Sequence, residues 1–586
     1  MADFCVKDSE DGFTMKLWRG ERMCLIAFDV EDPEDDFVGF AIECKAPGET
    51  VFHVLPNRLA FSYDEPAGSA VTGAKKFPST SAPFQKFRWV HFPFNPTAGL
   101  YTYRGTKLHM PSDGVLKPGL ALELAISLDP VTYADFLNIG FTRGFASSQA
   151  FVDKFPGAPS IDAIGRTIIP GSGIDGLSFQ KAAGDIYSWL GFEAYDLIFG
   201  LLKEAVDDDD VALDVFAYDL DEPDIVSSLE KLGTRLRVII DDSTSKNKQG
   251  VVTGHGTDAS DESQAAQRLV ASAGEGNVRR THFKGLQHHK VLIASRGGVA
   301  YKVLVGSTNF SFRGLYIQAN NALLFTDPGV AGLYKQVFDQ SFADPAHFGA
   351  SDLAKKWHLV PASAAGVAVQ ACFSPHATAA LSLNPVRGAI EQATSSVFYA
   401  VAFLNQLKSG PTKEAFDRLI ERPIFSYGLA DKTGGLEIKK PDGTIGLVDF
   451  AYLAKNAPEP FKSEWSGGSG INVHDKFVVT DFNLPTAKVF TGSSNLAPSG
   501  ENGNGDHLLM IEDQRVATAY AIEALRVFDH LHFRSVMQDA SKGAAVDATE
   551  KLTLKKPRAL SGKPTWFDGY YVPDSQKSKD RMLFVS

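Results

Sequence analysis

One set of five residue types occurs twice in this chain at identical spacing, and that duplication limits the possible folds more than any other feature. The first copy reads His288-His289-Lys290-Val291-Leu292-Ile293-Ala294 and continues to Gly306-Ser307-Thr308-Asn309. The second reads His474-Asp475-Lys476-Phe477-Val478-Val479-Thr480-Asp481 and continues to Gly492-Ser493-Ser494-Asn495. In both, lysine follows histidine by 2 positions and asparagine follows it by 21. At roughly one residue in twenty per type, such a set recurs by chance about once in a few million starting points. The surrounding pattern repeats too. A helix over 195–205, a strand over 211–218, a helix over 225–232 and a strand over 236–240 precede the first copy. A helix over 385–393, a strand over 397–403, a helix over 414–420 and a strand over 424–429 precede the second.

The residue types fit one chemistry. Side chains two apart on a strand share a face, so each histidine projects with its lysine toward a common site. A second apolar strand delivers Gly-Ser-x-Asn, in which glycine permits close backbone approach while serine and asparagine offer hydrogen bonds to phosphoryl oxygens. Lysine stabilises the added negative charge of a pentacoordinate transition state. Two such half-sites surround one phosphorus with two histidines, two lysines and two asparagines, an arrangement that needs no metal and no cofactor.

With these residues in hand, the chain resembles the phospholipase D superfamily, whose paired His-x-Lys-x4-Asp motifs are followed by Gly-Ser-x-Asn. The resemblance spans roughly residues 165–545 and extends to Phe373-Ser374-Pro375 and to the C-terminal Trp566, Tyr570 and Tyr571, expected to pack back onto the repeats. It implies an α/β fold of two tandem α/β/α sandwich repeats related by a pseudo-twofold. The implied reaction is two-step covalent catalysis through a phosphohistidine, with hydrolysis or transfer to an acceptor alcohol. His288 and His474 are then the catalytic pair, His288 favoured as nucleophile and His474 as acid. Lys290, Lys476, Asn309 and Asn495 hold the phosphate, assisted by Ser307, Ser493, Gly306 and Gly492.

The first copy departs from the pattern. Seven residues after His474 stands Asp481, but seven after His288 stands Ser295, so the half-sites are expected to differ. Asp481 is read as support for local structure. A carboxylate that orients a catalytic histidine is available in the second copy as Asp506, whereas the first has Asn320 and Asn321. His289 reads as an incidental surface neighbour of the motif.

The chain of 586 residues is long enough for several domains. Residues 1–130 show short strands such as 23–28, 38–42, 87–92 and 121–126 between turn residues, an all-β, sandwich-like accessory domain. Residues 131–165 read as a connector, 166–355 and 356–545 as the repeats, and 546–586 as a C-terminal segment. The scattered Cys5, Cys24, Cys44 and Cys372 suggest reduced thiols, with a disulfide among the first three as the alternative. The acidic run 207–210 reads as a solvated turn. No secretory signal and no transmembrane run is visible, so a cytoplasmic location is expected.

The substrate stays open between a phospholipid, or another small phosphodiester, and a nucleic acid. A net charge of −12 disfavours coating a polyanion. Insertions near 243–282 and 451–471 suit a shaped pocket, and Phe461, Trp465, Trp566 and Tyr570 are candidates to line an apolar entrance. Against a lipid, no amphipathic membrane segment is evident, and Arg279-Arg280 with His282 and Lys284 suits a nucleic-acid backbone. A non-catalytic binding protein on the same fold is the third reading. Oligomeric state does not follow from sequence.

Overall fold

The computed structural model describes residues 4–63, 75–143, 154–155, 179–360, 366–402, 409–419, 421–432, 435–439, 445–449, 473–542 and 553–586. Phe461 and Trp465 lie outside these residues.

The N-terminal region is two facing four-stranded antiparallel sheets. One orders Cys5–Glu10, Phe13–Arg19, Cys24–Val30 and Arg88–His91; the other orders Lys117–Ser127, Leu100–His109, Phe37–Lys45 and His53–Val54. Alternating side chains of both sheets, including Phe13, Phe28, Phe40 and Tyr103, meet in one core. All four cysteines are free thiols.

Two larger sheets follow. The first contains β1 (Leu137–Phe141), β2 (Val211–Ala217), β3 (Leu236–Ile240), β4 (Val278–Arg280), β5 (Val291–Arg296), β6 (Val299–Gly306) and β7 (Asn321–Phe325), in spatial order β1-β7-β6-β5-β2-β3-β4. The second contains β8 (His358–Val360), β9 (Ala368–Phe373), β10 (Ser396–Val401), β11 (Phe425–Lys432), β12 (Gly435–Lys439), β13 (Ile445–Asp449), β14 (Lys476–Thr480), β15 (Lys488–Gly492) and β16 (His507–Glu512), in order β8-β9-β16-β15-β14-β10-β11-β12-β13. The run β1-β7-β6-β5-β2-β3 matches β9-β16-β15-β14-β10-β11 in order and direction. Only β2/β3 and β10/β11 within it are parallel.

Period-two alternation on these strands feeds separate cores. Leu213, Val215, Leu292 and Leu304 face the helices Phe179–Asp207, Pro223–Lys231 and Asp261–Ala273. Val397, Tyr399, Val478 and Phe490 face Ala380–Gln392 and Pro411–Leu419. Their alternates, including Phe216, Ile293, Val303, Phe398, Phe477 and Val489, share one central core with the helices Pro328–Ala343 and Gln514–Lys542. The two sheets are thus joined through a common helical layer.

Two sequence expectations change. Residues 131–165 are not simply a connector, because β1 pairs antiparallel with β7 in the first large sheet, the place that β9 takes beside β16 in the second. Trp566, Tyr570 and Tyr571 do not pack on the repeats and line no entrance. Trp566 and Tyr570 insert into the N-terminal core beside Phe40 and Phe87, and the Tyr571 hydroxyl donates to the Val30 carbonyl. Among the described residues, only the end of that segment reaches the second large sheet, where Phe584 packs against Phe398, Phe425 and Phe482. Arg88 fastens the N-terminal region there, at 2.7 Å from Asp529 and 2.8 Å from Asp580. Among the described residues, no helix is long and apolar enough to cross a membrane.

Candidate active site

The two histidine segments lie at the starts of β5 and β14, each tied to the opposite large sheet by its backbone. His288 N donates to Gly505 O at 2.9 Å, and His474 N donates to Ala319 O at 3.0 Å. Side chains repeat this crossing. His288 Nδ1 is 2.7 Å from Asp506 Oδ1, while His474 Nδ1 is 2.9 Å from Asn320 Oδ1. Each ring is therefore oriented from the other copy, by a carboxylate on one side and an amide on the other. Both histidines are buried, at 4% and 5% exposure. Burial holds the His474 pKa well below the ordinary histidine value, and the charges of Lys476, then of Lys290 and His288 from the other segment, lower it further.

The serines and glycines build the supports of the orienting groups. Ser307 Oγ donates to Asn320 Oδ1 at 2.8 Å and accepts from Asn321 N; Ser493 Oγ donates to Asp506 Oδ1 at 2.7 Å and accepts from His507 N. Gly306 and Gly492 have φ of 149° and 148°, and a Cβ there would meet the carbonyl oxygen of Asn321 at 2.4 Å or His507 at 2.3 Å. The close approach that demands glycine here is to the neighbouring strand.

Lys290 and Lys476 are fully enclosed. Lys290 Nζ donates to His288 O at 2.5 Å and lies 4.6 Å from the Tyr218 ring centroid. Lys476 Nζ donates to His474 O at 2.9 Å and is 3.0 Å from His474 Nε2. Burial lowers the Lys290 pKa to about 8, and burial with the neighbouring lysine charges lowers that of both histidines. Asp506 goes the other way despite burial. His288 and Lys290, with the Ser493 hydroxyl, hold its carboxyl well below the usual range. Asn309 and Asn495 each keep a buried Oδ1 without a hydrogen-bond partner, and Asn309 Nδ2 donates to Asp219 at 2.5 Å.

Asp481 accepts N–H bonds from Thr394, Ser395 and Ser396 at 2.7–3.2 Å and so caps the approach to β10. It does not reach the histidines. Ser295, at the equivalent place, has a buried hydroxyl with no partner. The corresponding corner of the first copy is held by Arg235 instead, whose guanidinium donates to the carbonyls of Ala205, Asp208 and Val211.

His289 is not a surface residue. It is 1% exposed, and its ring stacks on His507 with centroids 5.6 Å apart and planes 2° from parallel. Its counterpart Asp475 bonds Asn321 at 2.9 Å. The sequence carried the signal: His289 alternates with Val291 and Ile293, which face the central core. Sequence reasoning also passed over Tyr218, whose ring meets His288 edge-on at 4.7 Å, and the neighbouring Asp219 and His255.

Residues 198–342 match the family described as cardiolipin synthase, PLD-like domain. Over these residues the chain carries a PLD-like domain of the phospholipase D superfamily, beside its N-terminal antiparallel sheets. Similar solved structures include polyphosphate kinase from Porphyromonas gingivalis, at 13% identity and TM-score 0.35, covering 55% of this chain and 43% of that one. Phosphatidylserine synthase from Haemophilus influenzae Rd KW20 is 11% identical with TM-score 0.40, covering 61% and 92%. The phospholipase D family member Nuc from Salmonella typhimurium is 20% identical with TM-score 0.19, covering 25% and 86%. No curated protein matches the chain.

Proposed function

We propose that the protein is a phosphodiester hydrolase of phospholipase D type that works through a phosphohistidine without needing a metal, with His288 as nucleophile and His474 as acid and base. The observation that carries the reading is the unequal orientation of the two rings, Asp506 on His288 and Asn320 on His474. With Nδ1–H donated to Asp506, His288 presents an Nε2 lone pair made more basic by the carboxylate, which also stabilises the positive ring formed on phosphorylation. His288 Nε2 bonds to phosphorus as the bond to the leaving oxygen breaks. That oxygen takes a proton from His474 Nε2. His474 then removes a proton from water, the water oxygen bonds to phosphorus, and His288 Nε2 departs. Lys290, Lys476, Asn309 and Asn495 take the phosphoryl charge.

In the free protein Lys476 donates to His474 Nε2, which keeps that ring neutral. A bound phosphodiester draws the ammonium to its own oxygens and raises the basicity of His474, so the acid is armed by substrate.

The substrate favoured is a phospholipid or another small phosphodiester. The net charge of −12, together with Asp219, Asp241, Asp242 and Glu262 gathered around His255 and the edge of the first half-site, repels an extended polyanion. Hydrolysis of bis(p-nitrophenyl) phosphate in EDTA, followed by head-group release from phosphatidylcholine and phosphatidylethanolamine vesicles and by nicking of plasmid DNA, tests the reading. Turnover in EDTA with release from vesicles supports it. Nicking without head-group release makes the protein a nuclease; no turnover at all leaves a binding protein.

A further inference from the structure

Beyond the histidine pair, the first large sheet gathers a second set of side chains at the carboxyl ends of its parallel strands. Asp219 follows β2, His255 lies in the segment after β3, and Glu262 sits in the first turn of the helix Asp261–Ala273. One ligand atom from each lies within 4.8 Å of the others. His255 Nε2 is 3.2 Å from Asp219 Oδ1 and 3.9 Å from Glu262 Oε1.

We propose that Asp219, His255 and Glu262 form a binding site for a divalent cation of the zinc or manganese class, with Asp241 as the residue that orients His255. Three features support this. The first is distance: ligands about 2.0–2.1 Å from a tetrahedral metal are themselves separated by roughly 3.3 Å, which the His255–Asp219 separation of 3.2 Å matches, while the 3.9 Å to Glu262 needs only a small side-chain adjustment. The second is orientation. His255 Nδ1 is 3.0 Å from Asp241 Oδ2, and Asp241 is itself fixed by the Gln287 N–H and the Ser243 hydroxyl. A ring held through one nitrogen by a carboxylate, with the other nitrogen facing two more, is the arrangement by which proteins fix a metal-binding imidazole. The third is an orphan acceptor. Asn309, 3% exposed and aimed at Asp219 through its Nδ2, keeps its Oδ1 buried without a partner, and exchange of the amide ends turns that oxygen toward the cluster as a fourth donor. The cluster is not sealed. The His255 and Asp219 side chains are 18% and 29% exposed, which leaves a way in for the ion and room for water.

The site is separate from the reacting histidines and is joined to them in two ways. Asn309, proposed above as a phosphate ligand, bonds Asp219, and the Tyr218 ring lies between His255 and His288 with centroids 4.5 and 4.7 Å away. Occupancy therefore bears on how firmly the first half-site is held, while no step of the proposed hydrolysis passes through the ion.

Calorimetric titration of the EDTA-stripped, dialysed full-length chain with Zn²⁺, and separately with Mn²⁺, tests the site. One equivalent is expected to bind with Kd below about 10 μM, with His255→Ala and Glu262→Gln losing at least about a hundredfold and Asp241→Asn losing about 10- to 100-fold. Circular dichroism reports whether each variant is folded. Should a variant unfold, Co²⁺ added to the unaltered protein supplies the answer, since intense visible bands mark a four-coordinate nitrogen and oxygen site. Absence of binding, unchanged affinity in both ligand variants, or a weak spectrum like that of hydrated Co²⁺ overturns the proposal and leaves His255 as an imidazolium among carboxylates. Because binding is read without turnover, and phosphohistidine formation is read on stripped protein, failure of one does not imply failure of the other.

Discussion

The two half-sites are built on the same plan and finished differently. Each has a histidine held from the opposite sheet, a lysine two residues on, and a serine that braces the orienting group. On one side the orienter is Asp506; on the other, 186 residues earlier, it is Asn320. Behind His288 the next residue pairs as His289 on His507, and behind His474 as Asp475 on Asn321. In the proposed hydrolysis, duplication supplies symmetry for gripping a phosphoryl group from both sides, and single-residue divergence would give the two imidazoles different tasks. The carboxylate would make one ring the better nucleophile, and the neutral amide would leave the other the better acid.

The largest effect should come from separating those tasks. His288→Ala is expected to lower kcat by about 10⁴ or more on every phosphodiester, because no nucleophile remains. His474→Ala should be comparably damaging for an alkyl ester but at least tenfold milder for the first turnover of a p-nitrophenyl ester, whose leaving group needs no proton. Equal losses on both substrates would break the assignment. Next in size, Asp506→Asn removes the carboxylate and should cost about 10²–10⁴ in kcat, as loss of a histidine-orienting aspartate does elsewhere. Asn320→Asp should change kcat by only about tenfold while moving the alkaline limb of its pH profile upward, because a more basic His474 keeps the proton it donates to the leaving group up to a higher pH. If the two exchanges had the same consequence, the half-sites would be functionally equivalent.

A smaller effect comes from Lys290, whose pKa is lowered to about 8. The group is cationic below that pH and loses its proton above it, so affinity for inorganic phosphate should fall as pH rises through about 8. Lys290→Arg should move that fall to higher pH. The smallest effect concerns support. Asp481→Ala strips the cap from three backbone N–H groups and should cost about 1–3 kcal/mol, read by urea denaturation. Ser295→Ala should change stability by less than about 1 kcal/mol, since the Ser295 hydroxyl has no partner to lose.

Much of this was legible in the sequence because it follows from local periodicity. The strands at 211–217, 236–240 and 396–401 and the helices around 195–205 and 385–393 announce themselves by period, and the repeated spacing announces the duplication. What stayed hidden depends on contacts between distant segments. That Asp506 serves His288 rather than the nearer His474 follows only from the crossing of the two sheets. The strand 137–141 is short and borrows its partner from 321–325, so its own residues do not mark it as part of the first large sheet. Trp566 and Tyr570 look like candidates for a lipid entrance because aromatic side chains suit a core and an interface equally, and only packing against Phe40 and Phe87 distinguishes them. His289 is the exception, since alternation along its own strand already excluded a surface position.

The most direct test of the central claim is to catch the intermediate. The His474→Ala protein, mixed with bis(p-nitrophenyl) phosphate in EDTA and quenched under alkaline conditions that preserve phosphoramidates, should release about one equivalent of p-nitrophenol and carry its phosphoryl adduct on the peptide containing His288. Peptide mass mapping reads the position. An adduct anywhere else, or turnover in the unaltered enzyme with no adduct trapped in the variant, would contradict an account in which Asp506 makes His288 the nucleophile.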